Sequence, residues 1–190
     1  RQEGSAAEWA VLEAIESRLA QLRIPASRFD FRESDLNHSF SSCLAATISG
    51  ERPDTLLLAV PLNHPPEASR DRDGSINIAL ALGFLEQLSR ERPPISVEVL
   101  FLGAEFGEGA DYPMGTRLFL RDFTPDYRVA ILYLNLRSIP SRLHVRAGGK
   151  GIEAPYWLID RTTRALKAAD LFFLLRGNEN QIFRAGLTEE

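Results

Sequence analysis

The chain holds one cysteine, Cys43, so an intrachain disulfide and a cysteine zinc cluster are both excluded. A single cysteine leaves the redox compartment undecided. Long apolar runs are missing too. Stretches such as Thr55 to Leu62 fall far below the ~18 residues that a membrane span needs, and no membrane contact is expected from this segment. The 22 Lys and Arg are scattered among 26 Asp and Glu, with a net charge of -4 and no basic stripe, so nucleic acid is not an expected partner. Repeats and low-complexity tracts are absent. What is present is 190 residues, 44% of them hydrophobic, enough for one sizeable core and read as one domain over residues 1–190. The chain opens on Arg1 rather than Met and closes on the polar Leu187-Thr188-Glu189-Glu190. The expectation is a piece of a longer protein, for which the lack of a leader or anchor carries no information.

Hydrophobic periodicity supplies the elements. Ser5 to Leu22 carries Trp9, Leu12, Ile15, Leu19 and Leu22 at helical spacing and stops at Pro25. Phe29 to Arg32 reads as a short strand and Ser39 to Ser49 as another, closed by Gly50 and Pro53. Thr55 to Val60 is a continuous apolar run, the pattern of a strand covered on both faces. Ile76 to Leu88 reads as a helix, Ser96 to Leu102 as a strand and Met114 to Phe123 as a helix. Val129 to Leu134, Arg142 to Arg146 and Leu171 to Leu175 read as strands, with a helix over Ala154 to Ala169. Strands alternating with helices predict an α/β fold, a three-layer α/β/α sandwich around a mostly parallel mixed sheet.

The segment from Val97 to Gly109 is the most informative. An apolar strand ends at Gly103-Ala104, and a carboxylate, Glu105, follows at once. Upstream, Asp73-Gly74-Ser75 leads into the helix from Ile76. An acid just past the C-terminal end of a strand is how open α/β sheets present functional groups.

Taken in order, these phrases resemble the co-catalytic zinc exopeptidases of the aminopeptidase and glutaminyl-cyclase type. Cys43 to Gly50 is similar to the family's N-V-I-A-x-x-x-G, and Leu57 to Asn63 to a strand ending A-H-x-D. Asp73 to Leu82 resembles D-N-A-S-G opening a helix. Phe101 to Thr116 resembles F-x-x-x-E-E-x-G-x-x-G-S, and Leu134 to Arg137 resembles N-x-D. Asn178 to Gly186 is similar to S-D-H-x-x-F-x-x-x-G. The resemblance spans Ser5 to Gly186. It implies a zinc-aminopeptidase-like fold with two zinc ions roughly 3.5–4 Å apart, a pair that activates water and polarises a carbonyl.

Carried over residue by residue, the resemblance implies a damaged site. The first His falls on Pro61, which has no donor. The bridging carboxylate falls on Asp73 and the general base on Glu105, and both survive. The carboxylate beside the base becomes Phe106, the Asp of N-x-D becomes Arg137, and the last His becomes Asn180. A permanent guanidinium and a divalent cation repel each other, so Arg137 is expected to pair with Asp73 or Glu105 in place of metal. Phe106 is expected to be buried among apolar filling.

Plainer readings stand beside these. Asp73 fits a helix N-cap, Glu105 a solvated or Arg-paired acid, and His64 an exposed loop histidine. Glu108 and Asp111 fit solvated acids, while His38 and His144 lie far along the chain and receive no role. Met114, Phe119 and Phe123 fit helix packing. Gly148 to Gly151 lacks the spacing of a phosphate loop and reads as a turn. The reading that results is a pseudopeptidase domain without cofactor, binding or scaffolding a peptide or protein partner. An extracytoplasmic location is what the resemblance implies. The competing reading is an active zinc exopeptidase or related hydrolase with a site rearranged around His64, Asp73, Glu105 and Glu108; a purely structural domain is the third.

Overall fold

The computed structural model describes residues 6–32, 40–63, 75–106, 113–122, 128–134, 136, 143–149, 152–176 and 182–183. The chain divides into two compact units, Arg1–Ser138 and Ile139–Glu190.

In the first unit, helices α1 (Ala6–Gln21), α2 (Ser75–Leu88) and α3 (Met114–Asp122) accompany five strands. These are β1 (Ala26–Arg32), β2 (Phe40–Ile48), β3 (Arg52–Pro61), β4 (Ile95–Leu102) and β5 (Arg128–Tyr133). They form one sheet in the order β1-β2-β4-β3-β5. The β1–β2 and β2–β4 pairs are antiparallel, while β4–β3 and β3–β5 are parallel. The sheet is therefore mixed, as the alternating pattern implies.

Side-chain alternation sorts the core into two layers. Leu44 and Ala46 of β2, Val60 of β3, and Val97, Val99 and Phe101 of β4 face one side. There they meet Leu12, Ile15 and Leu19 of α1 and Ile78, Ala81 and Leu85 of α2. Their neighbours Cys43, Ala45, Leu57, Ala59, Leu100 and Leu102 face the other side, where they meet Phe119 of α3. Phe119 in turn sets its ring edge-on to Phe29, with centroids 6.0 Å apart. Strands β2 to β4 are apolar on both faces because both are covered, which gives the three layers.

Helix α1 buries Glu8 as well as Leu12, Ile15 and Leu19, one stripe at helical spacing that ends in an acid. Trp9 stands outside that stripe, half-buried, with the Arg28 guanidinium 4.4 Å above its ring. Glu8 itself is 1% exposed and accepts a hydrogen bond from the Ser41 hydroxyl.

In the second unit, β6 (Leu143–Arg146) pairs parallel with β9 (Phe173–Arg176), and β10 (Ile182–Phe183) pairs antiparallel with β9. Gly148 and Gly149, read from sequence as part of a turn, form strand β7, which pairs with β8 (Ile152–Glu153) as a two-residue ladder. Helix α4 (Tyr156–Ala168) follows. Among the described residues, no helix is long and apolar enough to cross a membrane.

Candidate functional site

Strands β3 and β4 are parallel neighbours, so their C-terminal ends lie at the same edge, with Pro61 in register with Leu102. After β3 the chain returns as α2 on one face. After β4 it returns as α3 on the other. Adjacent strands whose connections leave toward opposite faces open a crevice beyond their carboxyl ends. Glu105 and Phe106 stand at that edge, three and four residues past β4.

The turn that carries them is tight. Ala104 adopts φ 48°, in the left-handed region that side chains other than glycine seldom occupy. Its carbonyl accepts from the N–H groups of Met114 and Gly115, both at 3.1 Å, which seats the first turn of α3 directly on the end of β4. Asn63, two residues past β3, holds the next step. It is 2% exposed. Its Oδ1 accepts from the N–H groups of Glu105 at 3.0 Å and Phe106 at 3.2 Å. Its Nδ2 donates to the Phe106 carbonyl at 2.6 Å. A second asparagine, Asn77 of α2, makes a similar clasp on the segment after β5: Oδ1 accepts from Leu136 N–H at 2.7 Å and Nδ2 donates to its carbonyl at 2.9 Å.

Glu105 is 4% exposed. Both carboxylate oxygens are engaged. The Thr116 hydroxyl lies 2.8 Å from each, the Thr116 N–H donates to Oε2 at 3.1 Å, and the Tyr133 hydroxyl donates to Oε1 at 3.1 Å. Burial pushes the Glu105 carboxyl above its ordinary range, against the opposing pull of the hydrogen bonds from Thr116 and Tyr133. Burial first, and then the Glu105 charge, pushes the Tyr133 phenol up, so it stays a neutral donor. Although its hydroxyl is tied inward, Tyr133 is 45% exposed, next to Ile131 at 53% on the same face of β5. Cys43 is buried at the same level of the sheet. Burial raises its thiol to about 12, with a Gly103 backbone hydrogen bond opposing and the charges of Glu105 and Glu8 adding, so it packs as a neutral side chain.

The raised carboxyl has a measurable consequence. An acid with a higher pKa folded than unfolded contributes stability that is complete below its ordinary value of 4.5 and is lost as pH rises through the folded value. Glu105→Gln is expected to flatten that decline, by about 1.4 kcal/mol for each unit by which the carboxyl is raised. Urea unfolding of both proteins between acid and neutral pH checks this; parallel curves would count against a raised carboxyl.

Of the positions singled out in the sequence, the structure brings Pro61, Glu105 and Phe106 to one sheet edge. Pro61 is buried at the end of β3, and its side chain offers no donor atom. Phe106 is half-buried rather than buried, its backbone clasped by Asn63. Asp73, Arg137, Asn180, His64 and Glu108 lie outside the described residues, as does the expected pairing of Arg137. His144 is exposed on β6. Sequence reasoning assigned no role to Asn63, Thr116 or Tyr133. Gly115-Thr116 closes the G-x-x-G-S-like phrase and Asn63 closes the strand phrase, so a signal for both was present.

Zinc requires nitrogen, sulfur or carboxylate donors, typically four. Among the described residues no group of three or more His, Cys, Asp or Glu side chains is placed to hold a metal ion. The side chains of Pro61 and Phe106 offer no donor atom. The described part of this edge does not fit a zinc pair.

The same architecture occurs in solved enzymes. A leucine aminopeptidase precursor from Bacteroides thetaiotaomicron superposes with a TM-score of 0.74 at 13% identity, over 93% of this chain and 71% of that one. Its fold is that of the zinc exopeptidases and glutaminyl cyclases. A Zn-dependent exopeptidase from Parabacteroides distasonis matches this fold with a TM-score of 0.66 at 16% identity, over 94% of this chain and 71% of its own. The glutaminyl cyclase of Fimbriiglobus ruber matches at 0.64 and 17% identity over 76% of this chain, which spans 59% of that enzyme's length. No protein-family model matches the sequence, and no curated protein matches it. At these identities the likeness establishes the zinc-exopeptidase fold.

Proposed function

We propose that this domain is a zinc-exopeptidase-like pseudopeptidase that binds or scaffolds a peptide or protein partner, as an extracytoplasmic module. The observation that carries this reading is the state of Glu105, at the position that the family resemblance gives to the general base. A base must reach the proton that it abstracts. This carboxylate is 4% exposed, and Thr116 and Tyr133 occupy its oxygens. Phe106 beside it and Pro61 across from it remove two ligand positions. Arg137 and Asn180 replace two more in the sequence, leaving Asp73.

The test is metal analysis of protein purified without chelator, followed by aminopeptide hydrolysis with added zinc. The expected result is substoichiometric metal, no hydrolysis and little thermal stabilisation by zinc. A ligand at a hundredfold excess over its Kd stabilises by about 2.7 kcal/mol. A shift of that size, abolished by Asp73→Ala and accompanied by turnover, would instead establish the rearranged hydrolase built from His64, Asp73, Glu105 and Glu108.

A further inference from the structure

The survival of Glu105 beside a degraded ligand set calls for a use other than base chemistry. The first turn of a helix leaves four N–H groups without intrahelical partners. In α3 those of Met114 and Gly115 go to the Ala104 carbonyl, Pro113 before them has no N–H, and Arg117 already makes the first intrahelical bond, to the Pro113 carbonyl at 3.4 Å. The Thr116 N–H goes to Glu105 Oε2 at 3.1 Å. Pro113, immediately before the helix, has no side-chain acceptor of its own, unlike the Ser, Thr, Asp or Asn that usually stands there. We propose that Glu105 serves as the N-terminal cap of α3, supplied from the end of β4, and that its carboxylate forms a latch tying α3 through Thr116 to strand β5 through Tyr133.

The chemistry is consistent at each end. A negative charge at a helix N-terminus meets the positive end of the helix dipole. A buried carboxylate persists only when its oxygens are hydrogen-bonded, and here a hydroxyl and an N–H from α3 and a phenol from β5 do that. The described groups that hydrogen-bond its oxygens are Thr116 of α3 and Tyr133 of β5, both neutral. Among the described residues the latch is thus a set of charge-assisted hydrogen bonds rather than an ion pair. The assignment rests on the metal-free reading above, in which the carboxylate answers to these donors alone.

Amide hydrogen exchange on the whole chain tests it, with Glu105→Ala, Glu105→Gln and Tyr133→Phe. Glu105→Ala is expected to speed exchange of the Thr116 amide roughly tenfold while the amides of α1 keep their protection. Glu105→Gln, which keeps an acceptor oxygen, is expected to speed it less, and it carries the test if the alanine variant does not fold. Tyr133→Phe is expected to move the Glu105 carboxyl titration, followed by its carbon-13 shift, to higher pH. Unchanged Thr116 exchange in the Glu105 variants would overturn the latch, and so would an unmoved titration. Zinc-dependent hydrolysis found together with the expected exchange would remove the metal-free reading while supporting the latch.

Discussion

Gly115→Ala is expected to destabilise the first unit by about 3 kcal/mol or more, although the same change elsewhere in a helix stabilises it. A Cβ built on Gly115 would lie 2.0 Å from the Gly103 carbonyl oxygen and 3.2 Å from its carbon. Both are backbone atoms of the turn that ends β4, so no side chain can swing aside to make room. The N–H of the same residue is bonded to the Ala104 carbonyl at 3.1 Å, which fixes the approach. Either α3 lifts from the strand end and loses that bond with the Thr116–Glu105 contact, or the turn at Ala104 deforms. Gly83→Ala in the exposed middle of α2 is the control. Nothing lies within 4 Å of its added Cβ, and it is expected to stabilise by about 0.5–1 kcal/mol through helix propensity alone. Chemical denaturation of the two variants separates the effects; a Gly115→Ala protein as stable as the parent would mean that α3 is not seated as described.

That contrast marks where the sequence is readable. Strand β3 announces itself because burial on both faces writes a continuous apolar run from Thr55 to Val60, while β2 and β4 keep polar residues such as Ser42 and Glu98 among their apolar ones. Helices α1 and α4 show the 3.6-residue period, and α2 shows a long apolar run. The acid at the end of β4 and the glycine that seats α3 are visible as a phrase. What Glu105 touches is not, because Thr116 lies 11 residues away and Tyr133 lies 28. Those contacts depend on which face α3 takes and on β5 crossing to the far side of β3, a topology that no local period encodes. The two helix ends at Arg23 and Asp170 turn through φ 58° and 53° without the glycine that normally signals such a cap. Glu8 hides likewise: it continues the stripe of Leu12, Ile15 and Leu19, but composition alone assigns an acid near a helix start to solvent. Polar residues that point inward are what a hydrophobic pattern cannot show.

Asn63→Leu is expected to cost about 3–5 kcal/mol, because it keeps the branched shape while removing the polar clasp and adding bulk. Three backbone groups rely on this side chain: the N–H of Glu105, the N–H of Phe106 and the carbonyl of Phe106. At 2% exposure Asn63 itself is closed to water, so leucine would leave those groups to find new partners at a covered edge. Asn63→Asp discriminates the donor from the acceptor. It keeps oxygen for both N–H groups but loses the donation to the Phe106 carbonyl and sets a second buried charge near Glu105. The introduced carboxyl is therefore expected to have a raised pKa in the folded state. The deficit of this variant should then be small below the ordinary aspartate pKa and grow as pH rises through the folded value. Unfolding free energies against pH, with amide shifts of Glu105 and Phe106, give the answer. A leucine variant that loses under ~1 kcal/mol would place the hold on this turn in the Ala104–α3 contact instead. The clasp matters beyond stability, since Asn63 fixes the backbone that presents Glu105 to Thr116 and Phe106 to the crevice.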